Sequence, residues 1–268
     1  MVTAVGRPYT TAGQEFAAFL RDYHIGAHNW VDVSRALIST GRGDRWTEAV
    51  QEMAVLHLAR RLIAAASEIV NSRPEWDLVA DSDIKQMIVD TMIVDYFLVN
   101  DIHARLVPAV AAARSSISSG MRKQLKAESQ RDAPWCYLCG TGLDYVATDS
   151  PMFFTLDHVW PLAYGGDSDY DNLLPACQSC NHRKGHAASW SLYPIQALVH
   201  GYQLTADDIA DLPKETRFAV LTRAAMDAAA ALHLSLKEAF VSLGRPDLPA
   251  VVDESTSVDV FNLIAQFR

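Results

Sequence analysis

The feature that most constrains this chain is that its four cysteines form two Cys-x-x-Cys pairs, Cys136 with Cys139 and Cys177 with Cys180. Each pair can present two thiolates to one tetrahedral ion, and two such pairs are a common framework for a four-cysteine zinc site. Disulfides are the alternative use of these cysteines, but the paired spacing favours a metal. The sequence therefore predicts one structural zinc.

The segment from the first cysteine pair to just past the second predicts a strand, a loop, a second strand and a helix, in that order. The run MFFTLDHVW, with its aromatic and β-branched residues, predicts a strand, and NLLPA predicts a second short strand. The run PLAYGGDSDYD predicts the loop between them, and QSCNHRKG predicts the start of a helix. Residues 133–187 are therefore expected to form a small α+β module, with the second cysteine pair entering its helix.

The rest of the chain is predicted to be helical. Over residues 46–70 the apolar positions recur at intervals of three and four, which indicates an amphipathic helix. A second long helical stretch is expected from residue 81 past Pro108, with a kink or break at the proline. Residues 214–232 have high intrinsic helix propensity. The predicted fold class is mostly α with an inserted small α+β module.

This pattern predicts three regions. They are an N-terminal helical domain with a connector over 1–132, the cysteine module over 133–187, and a C-terminal helical region over 188–268 that packs with the N-terminal body. The most apolar run, residues 87–99, is interrupted by two aspartates and is too short to span a bilayer. Because the start of the chain has no signal-peptide pattern, a cytoplasmic location without membrane association is expected.

The module contains Asp157-His158, Pro161, the Gly165-Gly166 loop, Asn172 in NLLPAC, and Asn181 with Lys184 in CNHRKG. In order and spacing, these motifs resemble the zinc-bearing subset of the HNH endonuclease family, which has the ββα-metal fold. The resemblance covers the module and leaves the helical regions outside it. It implies a metal-dependent endonuclease that hydrolyses phosphodiester bonds of nucleic acid, with DNA as the expected substrate.

The resemblance also implies roles for single residues. His158 would be the general base that activates a water molecule, for which a neutral imidazole is suited at pH 7. Asn172 would hold the loop that carries His158 through hydrogen bonds to the backbone. Arg183 and Lys184 are expected to contact phosphates of the nucleic acid.

The catalytic ion is expected to be held by oxygen atoms. Asp157 offers a carboxylate oxygen and Asn181 an amide oxygen, and such a pair suits one Mg²⁺ or Mn²⁺ ion. Asn181 directly follows Cys180, which is the position of the metal-ligand residue that the resemblance implies. His182 is the alternative ligand, and its imidazole would favour softer ions.

The net charge of −9 bears on how the chain would bind nucleic acid. Contacts from Lys and Arg to phosphates normally dominate such affinity, so binding is expected to need help from the basic stretch 122–131, a protein partner or self-association. By analogy, the chain would be the nuclease effector of a bacterial restriction or anti-phage defence system. The alternative function is a non-catalytic zinc module that binds nucleic acid or protein.

Overall fold

The computed structural model describes residues 8–25, 43–73, 78–92, 96–186, 188 and 214–246. Within these ranges, no helix has both the length and the apolar character that a membrane crossing requires. The helices expected from sequence near residues 30–40, 190–200, 205–211 and 257–267 lie outside the described residues.

In its described part, the N-terminal region is a body of packed helices. They are α1 (Ala12–Phe19), which continues as a π-helical turn, α2 (Gly43–Asn71), α3 (Leu78–Thr91) and α4 (Tyr96–Ala113). The Thr11 hydroxyl caps α1 by accepting from the backbone N–H of Gln14, and the Gln14 side chain accepts from the Thr11 N–H in return. The buried faces form one apolar cluster that includes Phe16, Leu62, Ile84 and Leu106.

The long helical stretch predicted from residue 81 is interrupted at a different place from the one expected. It consists of two helices, since α3 ends at Thr91 and α4 begins at Tyr96, and Pro108 lies inside α4. The helix therefore continues through Pro108, so a break there was wrong, whereas the alternative of a kink at the proline stays a prediction. The physical reason is packing, because Ala109 and Val110 directly after the proline are fully buried in the helical core and hold the last turn in place.

The cysteine module has the predicted order of strand, loop, strand and helix. After α5 (Ser119–Asp132), the strands β1 (Phe154–His158) and β2 (Leu173–Cys177) pair antiparallel, and α6 (Gln178–Lys184) follows at once. Two short 3₁₀ turns shape the loop between the strands, at Leu162–Tyr164 and Tyr170–Asn172. The fold class is thus confirmed as mostly α with a ββα-metal module.

The C-terminal helices α7 (Lys214–Leu232) and α8 (Leu236–Leu243) pack mainly on the cysteine module. One apolar cluster joins their buried faces with the four cysteines, and it includes Phe218, Leu236 and Phe240. That the whole C-terminal region packs with the N-terminal body stays a prediction, because residues 189–213 and 247–268 lie outside the described residues. The module presents an apolar back surface that must be covered, and these helices cover it, while Met226 also contacts the N-terminal cluster.

Candidate active site

The four cysteine sulfurs form one compact, buried group. Their Sγ atoms all lie within 4.8 Å of one another, and Cys139 Sγ is 4.0 Å from Cys177 Sγ. A tetrahedral zinc with Zn–S bonds of about 2.3 Å separates its sulfurs by about 3.8 Å, so the spacing fits that ion. The donor set also fits, since thiolates are the ligands that zinc takes in closed structural sites.

Local backbone geometry brings the two cysteine pairs together. In the first pair, the Gly140 N–H donates to the Cys136 carbonyl at 2.8 Å, with Gly140 at a φ of +71° that a side chain would strain. In the second pair, Cys177 is the N-cap of α6, and its sulfur accepts from the Cys180 N–H at 3.4 Å. Both pairs are therefore held in shape by the chain itself.

Burial and mutual hydrogen bonds shift the pKa values of the four thiols. Burial raises the pKa of the Cys136 thiol, whereas a hydrogen bond from Cys136 lowers the pKa of Cys139. The Cys139 thiol is therefore more readily deprotonated than the Cys136 thiol. A dication would let all four become thiolates, because metal ligation requires and stabilises the deprotonated form.

Strand β1 places Asp157 in the interior of the module. Its Oδ2 atom accepts a hydrogen bond from the Tyr137 hydroxyl at 2.5 Å and lies 2.8 Å from the Lys184 ammonium nitrogen. The Lys184 Nζ also donates to the His158 carbonyl at 2.7 Å. Within the described part of the chain, no hydrogen bond involves Asp157 Oδ1. Oδ2 is therefore the carboxylate oxygen that the described residues engage.

The position of Lys184 differs from the phosphate contact expected from sequence. The residue is 3% exposed, and its ammonium group faces Asp157 and the backbone of β1. A buried cation with an anionic partner is held by that pair and does not reach the surface. The structure therefore gives Lys184 a place inside the module, whereas Arg183 beside it is half-buried on α6.

His158 follows Asp157 on the strand and is half-buried. Its Nε2 atom lies 3.0 Å from the Ser168 hydroxyl oxygen, and no described residue forms a hydrogen bond with its Nδ1. Burial lowers the pKa of His158 and outweighs the opposite effect of the Asp157 carboxylate. The imidazole is therefore neutral at pH 7 and can accept a proton.

Asn172 ties together two parts of the loop between the strands. Its Oδ1 accepts from the Trp160 N–H at 2.7 Å, and its Nδ2 donates to the carbonyls of Trp160 at 2.9 Å and Asp167 at 2.8 Å. The side chain is 2% exposed, so these bonds are shielded from water. This geometry is of the kind that the resemblance implied for Asn172.

Asn181 is anchored to β1 from the first turns of α6. Its Nδ2 donates to the Leu156 carbonyl at 3.1 Å and to the Thr155 hydroxyl at 3.0 Å. Because a carbonyl can only accept, these bonds fix which end of the amide is the nitrogen. The other end is the amide oxygen, and no described residue forms a hydrogen bond with it.

One cleft of about 370 Å³ runs between β1 and α6. Asp157, His158, Asn181 and His182 all line it, so the structure brings both alternative ligands to the same space. Asp157 borders the cleft although it is 3% exposed. The rest of the lining consists of Thr155, Leu156, Pro161, Leu162, Gln178, Gly185 and His186.

Two contacts of this site were not predicted from sequence, namely Tyr137 with Asp157 and Ser168 with His158. Tyr137 lies between the first two cysteines. Because the two cysteine pairs must come together to bind one ion, this position could have indicated that Tyr137 packs near the strands. Ser168 carries no such signal. A serine in a Gly- and Asp-rich loop has many possible roles, and its partner is set by tertiary structure.

Residues 136–187 match the family model described as HNH endonuclease. The match begins at the first cysteine and ends just after α6, so the helices on both sides lie outside it. No curated protein and no solved structure matches the chain. The chain therefore contains a segment that matches the HNH endonuclease family model, and within it four buried cysteines are placed so that they could bind a metal such as zinc.

Proposed function

We propose that this chain is a metal-dependent endonuclease that hydrolyses phosphodiester bonds of nucleic acid, with DNA as its expected substrate. The observation that carries the proposal is the lining of one cleft by a neutral imidazole, a carboxylate and an anchored amide, from His158, Asp157 and Asn181. These groups supply a base and two hard ligands within one space, inside the segment that matches the HNH endonuclease family.

Asp157 and Asn181 would hold the catalytic ion. Each has one oxygen atom without a hydrogen bond to the described residues, and carboxylate and amide oxygens suit Mg²⁺ or Mn²⁺. When bound, the ion supplies positive charge that stabilises the charge developing on the phosphate. Asn181 is favoured over His182 because bonds to β1 anchor its side chain, whereas His182 is exposed and has no such anchor among the described residues.

His158 would accept the proton of the attacking water. As the water oxygen forms its bond to phosphorus, the proton passes to Nδ1 and the bond from phosphorus to the 3′ oxygen breaks on the opposite side. The departing oxygen takes a proton from solvent. Asn172 contributes by holding the loop behind His158, and Lys184 by holding the strand carbonyl of His158 itself.

Binding of the nucleic acid would need more than the charge of this chain. In the basic stretch of α5, Arg131 pairs with Asp132 and Lys126 donates to the Tyr145 carbonyl, while Arg122 and Lys123 are exposed. With a net charge of −9, we expect weak binding at physiological salt and assistance from a protein partner or self-association. An effector role in restriction or anti-phage defence is the setting we propose, by analogy.

One observation favours the alternative of a non-catalytic zinc module. Lys184 already neutralises Asp157, so the cleft attracts a cation less strongly than an unpaired carboxylate would. In a catalytic chain the substrate phosphate must supply the missing negative charge. A nuclease should therefore bind the ion and the nucleic acid together in the cleft, whereas a non-catalytic module should bind nucleic acid or protein without an ion there.

The test uses the full chain with supercoiled plasmid, single-stranded DNA and RNA, each with Mg²⁺, Mn²⁺ or a chelator that spares the zinc. We expect ion-dependent cutting that Asp157→Asn and Asn181→Ala abolish. Asp149→Asn is the matched control, because Asp149 is an exposed carboxylate of the same module outside the cleft. Tight binding of nucleic acid without cutting under any of these conditions would favour the binding module.

A further inference from the structure

We propose that the N-terminal helical body is part of the active site, because it sets the orientation of the His158 ring through Ser115 and Ser168. This inference rests on the proposed function, in which His158 is the base. Ser168 is then a positioning residue, and Ser115 holds Ser168. Ser115 lies outside residues 136–187, the segment that matches the HNH family.

The contact between His158 and Ser168 holds the imidazole ring by its Nε2 atom. The Nε2 atom lies 3.0 Å from Ser168 Oγ. A serine hydroxyl can donate or accept, and the proposed function requires a lone pair on Nδ1 to take the proton from water. We therefore assign Nε2–H as the donor and the Ser168 oxygen as the acceptor. Ser168 is 6% exposed, so solvent does not readily replace this bond.

Ser168 is in turn held by the end of a helix in the N-terminal body. Its backbone N–H donates to Ser115 Oγ at 2.8 Å, two residues beyond the end of α4. The Ser115 hydroxyl donates to the Ala112 carbonyl at 2.7 Å, which fixes its oxygen to accept from Ser168. A continuous series of hydrogen bonds therefore runs from the last turn of α4 to the His158 ring.

A second contact fixes the same loop to the helical body. The Gly13 N–H of α1 donates to the Gly165 carbonyl at 2.9 Å, and a Cβ on Gly165 would lie 2.9 Å from the Cβ of Ala109 in α4. Trp160 and Tyr164, from this loop, are buried in the core of the N-terminal body. The loop that carries Ser168 thus takes its shape from helices outside the family match.

Three single substitutions test this series. Ser168→Ala removes the hydroxyl that faces His158, and Ser115→Ala removes the acceptor of the Ser168 N–H. Ser72→Ala is the matched control, because the Ser72 hydroxyl donates to the Ile69 carbonyl at 2.7 Å in the same i−3 arrangement at the end of α2, where it is exposed. Zinc content and melting temperature check the folding of each variant.

The first readout is the tautomer of His158, measured on the zinc-loaded full chain with ¹⁵N-labelled histidine by long-range ¹H–¹⁵N NMR. The His158 signals are assigned by their loss in His158→Ala. We expect one neutral tautomer with the proton on Nε2 in the wild type and in Ser72→Ala. Ser168→Ala should give a mixture of both tautomers, and Ser115→Ala should shift in the same direction. Unchanged His158 signals in either of these variants overturn the proposal.

The second readout is the single-turnover cutting rate. General-base catalysis contributes about 10²- to 10⁴-fold, so loss of ring orientation in Ser168→Ala is expected to reduce the rate by about 10-fold or more. The substrate and ion concentrations that give the half-maximal rate should remain unchanged, since neither the Ser168 hydroxyl nor the His158 ring binds the substrate or the ion. If the wild type cuts no substrate, the proposed function fails, and the NMR result still decides the inference. If Ser168→Ala does not fold, Ser115→Ala decides it.

Discussion

The ammonium nitrogen of Lys184 lies 2.8 Å from Oδ2 of Asp157, and both side chains are almost completely buried. The Tyr137 hydroxyl donates to the same oxygen. This arrangement joins the three parts of the module, since Tyr137 belongs to the first cysteine pair, Asp157 to β1 and Lys184 to α6. A buried charge that loses its partner is costly, so the pair makes specific predictions.

Replacing Lys184 by Met is expected to lower the free energy of unfolding by about 3 kcal/mol, because it leaves the buried Asp157 carboxylate without its cation. Arg223→Met is the matched control. Arg223 pairs with Asp227 on the surface of α7, with the Asp227 side chain 64% exposed, and loss of such a pair should cost less than about 1 kcal/mol. Chemical denaturation measures both values, and equal losses would contradict this account of Lys184.

Mn²⁺ is expected to raise the melting temperature of Lys184→Met more than that of the wild type. Lys184 competes with a cation for the Asp157 carboxylate, and a ligand that binds the folded state stabilises it according to its affinity. The double variant Lys184→Met with Asp157→Asn is the control and should lose the additional shift. An additional shift that persists in the double variant would place the ion elsewhere.

Removal of the zinc is expected to release the C-terminal helices. The purified chain should contain one zinc, and a strong chelator should increase hydrogen exchange in α7 and α8, because their buried faces pack on the cysteines and Phe240 packs edge-on against Tyr137 at 5.0 Å. Helices α2 to α4 have a core of their own and should stay protected. Protection of α8 that survives loss of the zinc would contradict this prediction.

Gly13→Ala is expected to destabilise the chain by about 2 kcal/mol, because the new Cβ would lie 2.0 Å from the Tyr164 carbonyl oxygen and force α1 away from the loop. Gly120→Ala is the control within α5, where the nearest atom is 4.0 Å away. That change should stabilise by about 0.5 kcal/mol, since alanine has the higher helix propensity. Thermal unfolding distinguishes these outcomes, and a Gly13→Ala variant as stable as Gly120→Ala would disprove the close contact.

The parts of the site that the sequence predicted are those with local signals. The cysteine pairs have a fixed ligand spacing, and the β-branched and aromatic run of β1 and the helix start after Cys177 follow from neighbouring residues. The ββα order could therefore be predicted without any knowledge of tertiary contacts.

The rest could not be predicted, because it depends on residues far apart in the chain. Lysine is normally a surface residue, so nothing local indicated that Lys184 would be buried against Asp157. The hydrogen bond from the Ser168 N–H to Ser115 joins the loop between the strands to the end of α4. The packing of the helical body brings these two segments together. Helices α7 and α8 could have packed on the N-terminal body or on the cysteine module. An amphipathic pattern shows that a helix buries one face, but it does not specify the surface on which that face packs.

The most direct test of the central claim is the cutting rate of His158→Ala with the substrate and ion that give activity in the wild type. His57→Ala is the control, since His57 is an exposed histidine on α2. We expect His158→Ala to keep its zinc and its melting temperature while its rate falls by about 10²-fold or more, and His57→Ala to cut at the wild-type rate. A folded, zinc-loaded His158→Ala variant that cuts as fast as the wild type would contradict the assignment of the base.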